Sequence, residues 1–205
     1  ATFDIQTDDL LNGSGIDTFD NQAGALFKKS AGSGTSTIGP RLTNNGTLDL
    51  PTGALVLQGG LTNFAANTLT GGTYRLASTL LLPGADIVTN AATLVMDGSS
   101  AALLDLGSVN GLRRLATNGP AGGLTIKNGF NLANDSLLTN QGTVAIGPGA
   151  STLTSNRGYV QTAGTTRLDG GSLASSALVD VQGGSLTGTG NVNGALRNAG
   201  NVAPG

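Results

Sequence analysis

The sequence predicts an all-β chain wound as a right-handed parallel β-helix, a three-sided β-solenoid of about nine coils. One short phrase recurs six times: a Gly or Ala, usually a small residue, then alternating apolar and polar positions. The copies are Gly46-Thr47-Leu48-Asp49-Leu50, Gly53-Ala54-Leu55-Val56-Leu57, Gly72-Thr73-Tyr74-Arg75-Leu76, Ala92-Thr93-Leu94-Val95-Met96, Gly142-Thr143-Val144-Ala145-Ile146 and Gly164-Thr165-Thr166-Arg167-Leu168. A turn residue followed by such alternation is a short strand with one face inward. The interval between copies is the second observation. Thr73 to Thr93, Leu124 to Val144 and Thr165 to Ser185 are each 20 residues apart, and Thr143 to Thr165 is 22. One turn of a three-sided coil takes that much chain. Composition is the third. Aromatic residues are 3% of the chain, Trp is absent, and all twelve acids are Asp. A sandwich core built on large rings would be underfilled, and Glu-free sequence is poor helix surface. Ranks of Leu, Val and Ile fill a solenoid core instead.

Residues 1–20 hold Asp4, Asp8, Asp9, Asp17 and Asp20 and lack the phrase. They read as an atypical first coil or N-terminal cap, since an open stack end presents unpaired backbone that needs cover. The β-helix proper is expected over 21–205, with an irregular stretch at 107–123 around Asn110-Gly111-Leu112-Arg113-Arg114. Asn-Gly pairs begin at Asn12, Asn45, Asn110, Asn118, Asn128 and Asn193. Both residues tolerate left-handed backbone, so the pairs mark corners between strands rather than hairpins. Successive coils then pair in parallel about 4.8 Å apart, which gives a rod core of roughly 40–45 Å. The chain stops after Ala203-Pro204 without a visible polar cap, as a piece of a longer protein or an end that meets another chain would.

Several function classes are disfavoured. The net charge is −2 with a pI near 4.8, so there is no basic stripe for nucleic acid. No cysteine is present to form a disulfide framework or thiolate metal site. Without histidine, Ser-His-Asp and Cys-His mechanisms are excluded. No apolar run approaches the ~18 residues of a membrane span and no positively charged start is followed by an apolar stretch, so neither a span nor a signal peptide is expected in this sequence.

The cadence of Asn44-Asn45-Gly46-Thr47-Leu48-Asp49-Leu50, Asn140-Gln141-Gly142-Thr143-Val144-Ala145-Ile146 and Asn198-Ala199-Gly200-Asn201-Val202 resembles the repeats of large bacterial surface proteins. It is similar to autotransporter passengers and filamentous-haemagglutinin-type adhesins. The run Leu186-Thr187-Gly188-Thr189-Gly190-Asn191-Val192-Asn193-Gly194-Ala195-Leu196 looks like an autotransporter-associated β-strand repeat. The likeness covers most of the chain from about Asn21. It implies a non-enzymatic, extracellular or cell-surface structural module: a stalk, adhesin passenger or fibre subunit. Its expected partners are copies of itself stacked head-to-tail, and cell-surface glycans.

Candidate chemistry is sparse. Asn12 to Asp20 resembles one calcium-binding nonapeptide repeat, which would make Asp17 and Asp20, with Asp8 or Asp9, the ligands of a Ca²⁺ ion. The plainer reading is a turn, because a second copy is missing; no other cofactor is expected. Arg113 and Arg114 are the only adjacent Arg pair and suit a bidentate contact to an anionic sugar or a partner carboxylate; a local salt bridge is the plainer reading. Lys28-Lys29 is read in the same way. Asp49, Asp97, Asp105, Asp169 and Asp180 sit in or beside strand phrases, where stacking could bring two carboxylates together. That arrangement defines the alternative, a polysaccharide-binding or polysaccharide-degrading β-helix. Scattered Thr-x-Thr pairs at Thr35, Thr68, Thr152 and Thr187 define a remoter one, an ice-binding face.

Overall fold

The computed structural model describes residues 1–13 and 16–205. The chain is all β-strand and turn, wound through about nine turns of a β-solenoid. The expected repeat interval is the observed register. Thr73 lies beside Thr93, Leu124 beside Val144, Thr143 beside Thr165, and Thr165 beside Ser185, all in parallel.

Three faces result. The first begins with Thr2–Ile5, Leu26–Lys29 and Thr47–Leu50 and continues without a break to Asn201–Pro204. Five of the six phrases are on this face; the phrase at Gly53 forms Ala54–Leu57 on the second. The third face starts with Thr18–Asn21 and Arg41–Asn44 and resumes through Thr117–Asn118, Leu138–Asn140 and Tyr159–Gln161. Thr2–Ile5, Leu10–Leu11 and Thr18–Asn21 are therefore the three strands of one turn, each paired to the turn that follows.

Like side chains rank above one another inside. Phe3, Phe27, Leu48, Tyr74, Leu94, Leu124, Val144, Thr166, Leu186 and Val202 form one file on the first face. Leu48, Leu55, Leu94, Val144, Leu168 and Leu186 are all buried, as the alternation requires. Each fully buried Leu stabilises the stack by about 1.5–3 kcal/mol.

The Asn-x-Gly-Thr cadence has a physical cause. Asn44 and Asn140 of that phrase, and Asn21, Asn90 and Asn118 at the same place in other turns, point inward at the end of the third face, and their amides bond along the stack. Asn21 donates to Asn44 Oδ1 (2.7 Å), Asn90 to Asn118 (2.9 Å) and Asn118 to Asn140 (2.8 Å). The same amides also donate to the next turn's first-face carbonyls, at Thr47 from Asn21 (3.0 Å) and at Thr143 from Asn118 (3.1 Å). The side-chain oxygen of Asn140 accepts the Gly142 N–H (3.2 Å) and turns the corner. The following Gly is required by proximity: a Cβ at Gly142 would stand 2.2 Å from the Gly122 carbonyl oxygen.

Two irregularities interrupt the winding. Phe64–Ala65 turns back antiparallel onto residues 68–69, through Ala66 (φ 47°) and Asn67 (φ 59°). That is a tight hairpin turn with no glycine to announce it. The second lies in the expected irregular stretch. After Ala102–Leu104, the last strand of a five-stranded second-face sheet, the chain folds back. The Gly111 N–H donates to the Leu103 carbonyl (2.9 Å), and Leu112 and Leu115 plug the core. The second face resumes at Asn131–Asn134. This fold-back carries Arg113 and Arg114 to the outside.

Candidate functional site

The N-terminal acids do not converge. Lys29 occupies a core position between Ile5 and Leu50 and is fully buried. Its ammonium donates to Asp8 Oδ1 (2.8 Å) and to the carbonyls of Thr7 (2.9 Å) and Ala31 (2.8 Å). The Gly34 N–H donates to the other Asp8 oxygen (3.0 Å). The Lys29 bond, then the Gly34 bond, hold the Asp8 carboxyl below its ordinary pKa. Asp9 accepts the Thr7 hydroxyl, the Asp17 carbonyl accepts the Arg41 N–H (2.8 Å), and Asp20 is exposed. Among the described residues no three acids gather as a metal cage. The nonapeptide-like stretch includes Ser14 and Gly15, which lie outside the described residues. Lys28, paired with Lys29 in sequence, faces the opposite way and meets Asp4 (3.2 Å).

Most of the strand acids have basic or amide partners. Arg197 grips Asp180 with Nε and Nη2 on separate oxygens, the Nε contact at 2.8 Å. Those bonds, with a further one from Gln182, pull the Asp180 pKa to about 2. Arg167 meets Asp169 at 2.8 Å and Lys127 meets Asp97 at 2.9 Å. Burial works to raise the Asp97 pKa, but bonds from Lys127 and Asn128 outweigh it and hold the carboxyl low. Asp105 accepts the Val109 N–H (2.8 Å) and ties its own loop. Stacking does bring Asp49 and Asp97 to one shallow first-face groove with Arg75 and Lys127, about 490 Å³ in volume. Their backbones are two coils and two residues apart, about 12 Å. No Thr-x-Thr pair stacks on another. Thr152 and Thr154, for example, stand between Asn131, Ala133 and Ser172, Ala174.

The groove at the corner between the second and third faces is different. Arg113 and Arg114, on the fold-back, are both exposed. Arg113 Nη1 reaches Asp135 Oδ2 at 3.4 Å, and Arg114 Nη1 reaches Asp86 Oδ2 at 3.1 Å. Neither contact is bidentate. The next coils add Asp135, Ser136, Leu137 and Arg157, and together these side chains line a space of about 550 Å³. Main-chain bonds fix the layers: the Asp135 N–H donates to the Arg113 carbonyl (2.8 Å). Side chains tie them further, Ser136 Oγ donating to the Arg114 carbonyl (3.2 Å) and Asn156 Nδ2 to Asp135 Oδ1 (3.1 Å). Arg157 has no acidic partner among the described residues. Sequence reading overlooked Arg157, although Arg113, Asp135 and Arg157 are spaced 22 and 22 residues apart, the coil interval itself.

Among the described residues no helix is long and apolar enough to cross a membrane. No protein-family model, no curated protein and no solved structure matches this chain, so the site rests on its own geometry.

Proposed function

We propose that the chain is a non-enzymatic structural module of an extracellular or cell-surface protein, a stiff segment of a stalk, adhesin or fibre. One observation supports this above the others. The inward file from Phe3 to Val202 runs the length of the rod, and Asn ladders beside it at Asn21–Asn44 and Asn90–Asn118–Asn140 tie successive turns together. A stack of that kind resists bending and extension because each turn's backbone is bonded to both neighbours. The absence of Cys is compatible with a rod stabilised by ladder bonds outside the cell.

The end turns also support stacking with a further coil, a second copy of the chain in a fibre. Phe3 is 37% exposed, Ile5, Leu11 and Phe19 are only partly covered, and Val192 and Val202 at the opposite end are likewise half-buried. A non-closing head-to-tail contact between such ends produces filaments.

Negative-stain imaging and sedimentation at rising concentration test both parts. Straight rods that lengthen in whole multiples of the single copy are expected. Globular particles would overturn the structural role, and single rods of constant length at every concentration would overturn the stacking. Protease shaving of intact source cells tests location: protection of the module at the intact surface would overturn an extracellular role.

A further inference from the structure

We propose that the groove of Arg113, Arg114 and Arg157, floored by Leu137, binds a segment of acidic polysaccharide. Three of the chain's seven arginines share this one groove, on a chain whose net charge is −2. Structural pairing accounts for them only in part. Arg113 and Arg114 each touch one carboxylate oxygen, and Arg157 touches none, whereas Arg197 on the third face is engaged at both Nε and Nη2. The groove therefore keeps unused guanidinium donors, in the fork geometry that carboxylate and sulfate groups match.

The placement selects an extended ligand. Arg113 and Arg114 belong to the fold-back, Asp135 to the next coil and Arg157 to the one after, so the backbones that carry the outer arginines are about 10 Å apart along the rod. A chain of charged sugars lying along the axis can meet a cationic group in each of the outer layers. Leu137 lies between them, 46% exposed. Its side chain lies against the backbone of Gly158 (φ 116°), where a Cβ would stand 3.0 Å from Leu137 Cδ1. An exposed aliphatic surface beside charged donors suits the mixed apolar and anionic faces of a uronic acid or a sulfated sugar. Ser136 and Asp135 supply hydroxyl and carboxylate partners for sugar hydroxyls.

The inference does not rest on the structural role: a rod that fails this test is still a rod. Calorimetric titration of the full chain at low salt would use a galacturonic acid hexamer, a sulfated heparin hexasaccharide, neutral cellohexaose, inorganic sulfate and a single-stranded oligonucleotide. One or both acidic oligosaccharides are expected to bind, and the arm that binds identifies carboxylate or sulfate as the recognised group. Arg157→Ala and the double variant Arg113→Ala/Arg114→Ala should each weaken that binding at least about tenfold. Arg167→Ala, on the first face, should leave it unchanged. Raising salt should weaken binding, because the groove is open to solvent. The proposal is overturned if cellohexaose or sulfate binds as well as the acidic oligosaccharides, or if the oligonucleotide binds more tightly. Unchanged affinity in Arg157→Ala, with the rod's melting temperature preserved, overturns it equally.

Discussion

At the scale of single residues, the most consequential position is one where the core pattern is broken. Lys29 stands in an apolar file, and its ammonium is tolerated because Asp8 and two carbonyls receive it. A buried charge stripped of its partner is costly, whereas an apolar replacement of similar length leaves none behind. Asp8→Ala should therefore lower the melting temperature more than Lys29→Met does, as a thermal melt of the two variants would show; the reverse order would mean the Lys29 ammonium is not buried as described. Asp180 gives a pH signature. Its folded pKa of about 2 lies below its ordinary 3.8 because Arg197 and Gln182 bond the carboxylate. The stabilisation is thus present above pH 3.8 and fades as pH falls towards 2. Melting temperature should drop over that window, and Arg197→Ala should flatten the drop. The strand acids were legible as sequence, but their partners were not. Arg197 is 17 residues from Asp180, and only the register of adjacent coils makes them neighbours.

At the scale of elements, strand and corner are specified together by the Asn-x-Gly-Thr phrase. The alternation after Gly46 or Gly142 showed which residues face inward, and the recurrence gave the interval. The ladder through Asn90, Asn118 and Asn140 was not legible as such, because the Asn-Gly pairs drew attention to corner conformation rather than to an inward amide. In the six pairs, Asn128 at φ 55° does adopt the left-handed backbone, while Asn118 instead stacks in the core. Asn118→Ala should destabilise the rod by about 1–3 kcal/mol, because it removes a buried donor and leaves Asn140 Oδ1 and the Thr143 carbonyl short of a partner. Denaturant unfolding measures this, and a loss below about 0.5 kcal/mol would show the ladder to be incidental. The hairpin at Ala66-Asn67 was unreadable for a related reason: neither residue is Gly, and both are held at positive φ by the surrounding turns.

At the scale of the whole molecule, the fold was legible because a solenoid repeats one local decision many times, so weak signals add. The corner groove was only half legible. Arg113-Arg114 stood out as a pair, but Arg157 joins them through two coil intervals. The fold-back at 105–116 opens the second face there and displaces the arginines outward. Outward charges on the first face carry a related specification. Asp4, Lys28, Asp49 and Arg75 alternate in sign over four successive coils. Opposite charges on neighbouring strands favour this register.

The axis itself can be measured by paired spin labels, since the chain has no native cysteine to interfere. Asp49 and Arg167 share one outward file, five coil steps apart, and Thr187 is the next step. Labels at Asp49→Cys with Arg167→Cys should lie about 24 Å apart, and moving the second label to Thr187→Cys should add about 5 Å. Distances that grow by that constant step confirm a single winding axis. A distance that shortens or scatters when the label moves one coil onward would contradict it.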